Sequence, residues 1–245
     1  MNNVTNNKMN NNMNNKKRIL AISDIHGHYD ELVRLLELSN YNSNEDQLVL
    51  LGDLVDRGSQ NMKTLFYVRE LEKDGAIVLM GNHDSAAHLS MNELLTTGYG
   101  IETKTHVNCI NGYETYNEFI KLSDVNQKIA RNFLKSRPLY YEYDKYIFVH
   151  SGVSPDRPLN ENNEDVLLWS REEFYEFKAY ENKIIIFGHT PVKYLNKNNE
   201  NRVWFDRIHN DKIGIDCGCF FSKILGCLEI DLETGRYDTY YVKGD

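Results

Sequence analysis

Five short apolar runs, each closing on Asp, Asn or His, constrain this chain of 245 residues more than any other feature. They are Arg18-Ile-Leu-Ala-Ile-Ser-Asp24-Ile-His26, Gln47-Leu-Val-Leu-Leu-Gly-Asp53, Ala76-Ile-Val-Leu-Met-Gly-Asn82-His83-Asp84, Tyr146-Ile-Phe-Val-His150 and Lys183-Ile-Ile-Ile-Phe-Gly-His189. A short apolar run without polar alternation suits a strand buried on both faces, which predicts an α/β fold with helices covering the sheet. In such sheets the carboxyl ends of the strands open onto the binding crevice, so the polar endings are expected to meet there.

Carboxylate and amide oxygens mixed with imidazole nitrogens suit borderline divalent metals such as manganese, iron or zinc. Six such ligands exceed what one tetrahedral ion needs. Two ions about 3.5–4 Å apart, sharing one carboxylate, would use them all, and that pairing serves phosphoester cleavage.

Composition narrows the classes. A net charge of −8 without a basic stripe disfavours a protein that grips nucleic acid through its phosphate backbone. No apolar stretch approaches the roughly 20 residues needed to span a bilayer, and the N-terminus lacks the apolar core of a secretory signal, so a cytoplasmic location without a membrane partner is expected. Cys109, Cys217, Cys219 and Cys227 are too few and too irregular for a disulfide framework. Residues 1–17 are dominated by Asn and are expected to form a disordered tail. Residues 18–245 are expected to form one domain.

Leu32, Leu35 and Leu36 recur at helical spacing after the first run. Met62, Leu65, Phe66 and Val68 do so after the second, with Ser59 as the expected N-cap. Between Asp84 and Tyr146 the pattern turns helical, polar and Tyr-rich, which predicts a helical insertion over about 85–140 beside the site. Strand character returns at 212–215, 224–230 and 237–242, where a second, largely antiparallel sheet is expected.

Local chemistry sharpens the site. Asp24 and His26 are two apart on an extended segment and share a face. Gly52, with no side chain, is expected to allow close backbone approach to an ion beside Asp53. Asp56-Arg57-Gly58 adds a second carboxylate and a guanidinium, whose planar fork suits phosphate. His83 follows Asn82 directly and so points elsewhere, as an acid or base would.

Together these segments resemble the metal-dependent phosphoprotein phosphatase family within the calcineurin-like metallophosphoesterases. The resemblance rests on Asp24-Ile-His26-Gly27, Gly52-Asp53-Leu-Val-Asp56-Arg57-Gly58, Gly81-Asn82-His83-Asp84, His150-Ser-Gly152 and Gly188-His189-Thr190-Pro191, in order from about Arg18 to Ile230. It implies a two-sheet β-sandwich flanked by helices. It also implies that Asp24, His26 and Asp53 hold one divalent ion and that Asp53, Asn82, His150 and His189 hold a second, with manganese expected and iron or zinc as other candidates.

By the same resemblance His83 is the general acid, Asp56 its orienting partner and Arg57 a phosphate clamp. Leu167-Leu-Trp169-Ser170-Arg171 is similar to the segment carrying a second phosphate-binding arginine in the small phage and bacterial members. The implied activity is dephosphorylation of phosphoserine and phosphothreonine in proteins, with hydrolysis of dinucleoside polyphosphates as the alternative. The partner is accordingly a phosphoprotein or a phosphorylated small molecule. Asp84 departs from the Glu usual in protein phosphatases and matches the dinucleoside tetraphosphate hydrolases, and Cys217 departs from a usual Thr. A catalytically inactive binding module would have shed ligands, and this set is complete.

Overall fold

A computed structural model describes residues 13–244 as two five-stranded sheets packed face to face. The first contains β1 (Arg18–Ile22), β2 (Asp46–Leu50), β3 (Ile77–Val78), β9 (Ile224–Asp231) and β10 (Tyr237–Lys243) in the order β10-β9-β1-β2-β3. The second contains β4 (Tyr140–Tyr143), β5 (Tyr146–Val149), β6 (Ile184–Phe187), β7 (Trp204–Phe205) and β8 (Lys212–Gly214) in the order β4-β5-β6-β8-β7. β1, β2 and β3 run parallel, as do β5, β6 and β8. All five apolar runs therefore contribute strands: β1, β2, β5 and β6 lie inside their sheets, and the short β3 forms an edge of the first.

Alternation along each strand divides the core. Ile19, Ala21, Val49, Leu51 and Ile77 face the other sheet and meet Tyr141, Phe148, Ile186, Ile213 and Ile215. Their neighbours Leu20, Ile22, Leu48, Leu50 and Val78 point outward, against Leu32, Leu35, Leu65 and Val68 of the covering helices. Those helices are α1 (Tyr29–Leu38) and α2 (Asn61–Lys73), each crossing from one parallel strand to the next. The outer face of the second sheet buries Ile147, Val149, Ile185 and Phe187 beneath Leu167 and Phe174. At about 1.5–3 kcal/mol for each fully buried aliphatic or Phe side chain, these layers dominate the folding energy.

Between β3 and β4 the chain forms α3 (Asn82–Thr96), α4 (Ile101–Cys109), α5 (Tyr113–Phe119) and α6 (Asp124–Leu134). Met91, Phe119, Ala130, Phe133 and Leu134 carry these helices into the core of the first sheet. α3 begins at Asn82, so two candidate site residues lie on its first turn.

Three expectations need correcting. The C-terminal strands do not build the second sheet: β9 pairs antiparallel with β1 and β10 with β9, while β8 joins the second sheet parallel to β6. Arg18 seals the first of those pairings, with Nε 2.8 Å from Asp46 Oδ1 on β2 and Nη1 on Glu229 of β9. Ser59 does not cap α2. Glu118 does so from α5, its carboxylate accepting from the Asn61 and Met62 amides at 2.9 and 2.8 Å and so satisfying the orphan donors of the first turn. Phe66 is only partly buried, while Met62, Leu65 and Val68 face inward.

The Asn-rich segment lies outside the described residues over 1–12. Over 13–15 the chain makes a 3-10 turn, and Met13 is buried between the sheets with Ile19 and Leu228. Among the described residues no helix is long and apolar enough to cross a membrane.

Candidate metal centre

Asp24 and His26 follow β1, Asp53 follows β2, Asn82 and His83 open α3, His150 follows β5 and His189 follows β6. All seven are buried. The structure thus brings the strand endings to one point between the sheets.

The backbone there is held in a conformation most residues avoid. Asp24, His26, Asp53, Asp56, Arg57 and His189 all have positive φ, between 48° and 74°. Asp and His tolerate this left-handed region better than β-branched residues, yet it costs of order 1–3 kcal/mol per residue and persists only where the surroundings impose it. Gly52 and Gly81 show how they do so. A Cβ on Gly52 would lie 2.3 Å from the Gly81 nitrogen, and one on Gly81 would lie 2.2 Å from both the Asp53 nitrogen and its Oδ1. The close approach that Gly52 permits is therefore to the Gly81 backbone, which corrects the expectation of an approach to an ion. Asp84 locks the same junction by accepting from the Leu54 amide at 2.9 Å and the Gly81 amide at 3.1 Å.

Two groups of side chains share Asp53. His26 Nε2 lies 3.5 Å from Asp53 Oδ2 and 4.0 Å from Asp24 Oδ1. On the other side His150 Nε2 lies 3.5 Å from Asp53 Oδ1, and Asn82 Oδ1 lies 2.9 Å from both His150 Nε2 and His189 Nδ1. The donor atoms of His26, Asp53 and His83 lie within 4.8 Å of one another, as do those of Asp53, His150 and His189.

The protonation chemistry fits cations in both groups. His26 Nδ1 and His150 Nδ1 each sit 2.9 Å from a backbone carbonyl, of Val55 and Leu51 respectively, so each carries the proton and leaves Nε2 as a lone pair aimed at the cluster. Two acceptors, His150 Nε2 and Asn82 Oδ1, then face each other at 2.9 Å. With the Asn82 amide oxygen so placed, that contact is repulsive, and a cation against both atoms would relieve it. His189 Nε2 is buried with no hydrogen-bond partner, so neither tautomer of that ring satisfies both nitrogens among protein groups.

Burial holds His26 and His150 below the usual imidazole range and takes His189 down to about 2, aided by nearby His150 and Arg171, so the rings are neutral, as ligation requires. Burial, with the charges of Asp24 and Asp84 beside it, drives Asp53 far above the ordinary carboxylate range. A divalent cation is the partner that lets such a cluster stay ionised.

Beside this cluster lies a chain of hydrogen-bonded side chains centred on Asp56. His83 Nδ1 is 2.8 Å from Asp56 Oδ2, and His83 Nε2 is 2.9 Å from Arg57 Nη2. Burial alone raises Asp56, but hydrogen bonds from His106 and His83 outweigh it and hold the carboxyl below its usual range. His83 itself is lowered by burial, with Asp56 opposing that shift. Arg57 also reaches His26 Nε2, at 3.0 Å. Arg171 lies at the opposite group, its Nη1 3.3 Å from the His189 carbonyl and 3.4 Å from Thr190 Oγ1.

His106 was not legible in the sequence. It projects from α4, is fully buried, and places Nε2 2.8 and 3.0 Å from the two Asp56 oxygens. Only its helical insertion marked the region, because the residue it serves is 50 positions away. His106→Ala is expected to lower kcat about 10-fold with KM and metal content unchanged, on the scale of lost partners that orient a catalytic group. His106→Gln, which can still donate to Asp56, should recover part of that loss; a fall in KM and kcat together, or no kcat effect, would contradict the positioning role.

Residues 17–216 match the family model described as calcineurin-like phosphoesterase. Among curated proteins, the chain is 36% identical over 137 residues to the symmetrical bis(5'-nucleosyl)-tetraphosphatase of Methylococcus capsulatus, covering 56% of this chain and 44% of that protein. It is 31% identical over 176 residues to the protein of the same name from Glaesserella parasuis, covering 69% and 57%. The chain spans about half the length of the curated relatives it matches. A solved candidate diadenosine tetraphosphatase superposes with TM-score 0.68 at 18% identity over 95% of this chain and 96% of that one. A protein serine/threonine phosphatase from Saccharomyces cerevisiae superposes with TM-score 0.62 at 16% identity over 96% and 82%. Likenesses at these identities show a shared two-sheet architecture.

Proposed function

The chain belongs to the calcineurin-like phosphoesterase family, matched over residues 17–216, and from that premise we propose that this metal-binding hydrolase cleaves dinucleoside polyphosphates at a phosphoanhydride bond. The observation that carries this reading is the name borne by the relatives that are 31–36% identical to it, symmetrical bis(5'-nucleosyl)-tetraphosphatase. Asp84, which departs from the protein phosphatase pattern, agrees with it. The phosphoprotein substrate expected first has support only from structures at the level of fold.

On this reading Asp24, His26 and Asp53 hold one divalent ion, and Asp53, Asn82, His150 and His189 hold the other. Manganese suits this mixture of oxygen and imidazole donors, and iron and zinc tolerate it too. Bound there, the pair supplies a water acidic enough to attack at neutral pH and neutralises phosphoryl charge. Arg57 and Arg171, one beside each ligand group, align the phosphate chain from its two ends by paired hydrogen bonds.

Water oxygen forms a bond to one phosphorus while the bridging P–O bond breaks on the opposite side, and the electron pair leaves with the departing nucleoside phosphate. Once the phosphate chain draws Arg57 off Nε2, His83 takes up a proton there, its charge supported by Asp56 at Nδ1–H, and donates it to that leaving oxygen, while the proton lost by the attacking water passes to solvent. Cleavage at the centre of a tetraphosphate consumes one water and gives two nucleoside diphosphates.

The test is a side-by-side assay of the Mn²⁺-supplemented protein. Diadenosine tetraphosphate is expected to be turned over with a kcat/KM at least about 100-fold above that of a phosphoserine peptide, about 2.7 kcal/mol of transition-state preference. The reverse order would overturn the proposal.

A further inference from the structure

Exposed aromatic rings flank the cluster on both sides of Asp53, one beside Arg57 in space and one against His189, two residues before Arg171 in the chain. On the His26 and His83 side, the Arg57 guanidinium carbon lies 5.6 Å from the centroid of the Phe220 ring. On the His150 and His189 side, the Trp169 ring meets His189 edge to face at 6.0 Å, and Arg171 is two residues further along the chain. Phe220 is 39% exposed and Trp169 47% exposed. Single exposed aromatics need no explanation. Two of them, one against Arg57 and one against His189, on opposite ligand groups of one shared carboxylate, form a pattern.

The local chain explains why both rings face outward. α8 (Cys219–Ser222) is one short turn anchored by buried Cys219, which leaves Phe220 and Phe221 on the solvent side. Trp169 ends α7 (Glu164–Trp169), whose buried residues are Leu167 and Leu168. Neither aromatic is needed for the core.

Beside Arg57 opens a cavity of about 390 Å³ lined by Phe220, Lys223, Gln60, His28, Asp30 and Glu31. That volume lies in the range of small-molecule pockets. Arg57 and Lys223 supply positive charge on this wall, while Asp30 and Glu31 are carboxylates that repel a further phosphate and accept from hydroxyl or amino groups. A group that is anionic at one end and carries an apolar ring with hydroxyl or amino donors at the other meets those demands, and a nucleoside phosphate is such a group.

We propose that Phe220 with Arg57 and Trp169 with Arg171 seat the two nucleoside ends of one dinucleoside polyphosphate, with its phosphate chain lying across Asp53 between them. This rests on the substrate reading above and goes further by assigning each end a place. Every nucleobase has a π face, so stacking on Phe or Trp would tolerate different bases.

The experiment uses the full chain with Mn²⁺ and a methylene-bridged, non-hydrolysable diadenosine tetraphosphate, titrated by calorimetry alongside inorganic tripolyphosphate, which has no base. Phe220→Ala and Trp169→Ala are each expected to weaken the analogue about 10-fold relative to tripolyphosphate. The double variant should show about the product of the two effects, and Trp169→Phe should keep most of the affinity. The analogue should also quench the fluorescence of Trp169, a signal lost in Trp169→Phe.

If the wild-type chain cleaves diadenosine tetraphosphate yet either alanine variant binds the analogue as wild type does, the two-ended seating is wrong and the substrate reading stands. If the wild-type chain cleaves only a phosphopeptide, the substrate reading fails and the seating fails with it.

Discussion

Asp53→Ala is expected to abolish turnover, with kcat falling by more than about 10,000-fold, because the variant loses the means of bringing the pKa of water from 15.7 toward about 7. The same protein should retain less than about half the wild-type metal by elemental analysis. The reason lies in the position of this carboxylate. Its two oxygens face different histidines, Oδ2 toward His26 and Oδ1 toward His150, each at 3.5 Å. Among the described residues no other side chain is common to both donor groups. The variant also loses the acceptor of the His83 amide, 2.9 Å from Asp53 Oδ1, while the close packing of Gly52 on Gly81 still holds the loop's main chain. A variant that keeps both ions, or one that keeps activity after exhaustive chelation, would refute the shared-ligand arrangement.

His83→Ala separates acid catalysis from metal binding. Its kcat should drop about 100- to 10,000-fold, the usual contribution of a positioned acid or base, while metal content stays near that of the wild type. Nδ1 is engaged by Asp56, while Nε2 accepts from the Arg57 guanidinium, which a bound phosphate would draw away and so open Nε2 to a proton. The size of the loss should depend on the leaving group. A serine alkoxide needs a proton far more than the phosphate oxygen of a nucleoside diphosphate does, so the deficit should be larger on a phosphoserine peptide than on diadenosine tetraphosphate. Equal deficits, or loss of metal in this variant, would remove His83 from the acid role and place it among the ligands.

The candidate ligands were legible because the sequence writes them locally, as polar endings to apolar runs. A buried parallel strand needs an apolar stretch, and its carboxyl end needs polar side chains that face a crevice, so both signals lie within nine residues of one another. What joined those strands was not written locally. The runs at 224–230 and 237–242 identify strands, but nothing in them says that β9 pairs with β1 across some 200 positions of sequence.

The α2 cap failed for the same reason: Ser59 was near in sequence, while Glu118 was near in space. His106 is the clearest case. An isolated His in a polar helix carries no periodic or motif signal, and its importance comes only from meeting Asp56 in the folded chain. Left-handed backbone at Asp24, Asp53 and His189 was equally silent, because it is imposed by neighbouring loops.

Gly52 and Gly81 leave this protein little freedom to retune its chemistry from within. Their backbones touch, and even a methyl group at either position would collide with the loop that presents Asp53. Mutational drift toward new substrates is therefore channelled outward, to rim positions such as Phe220 and Trp169 that can change without disturbing the loops beneath. A laboratory library aimed at altered selectivity would do best to randomise that periphery and leave the glycine pair untouched.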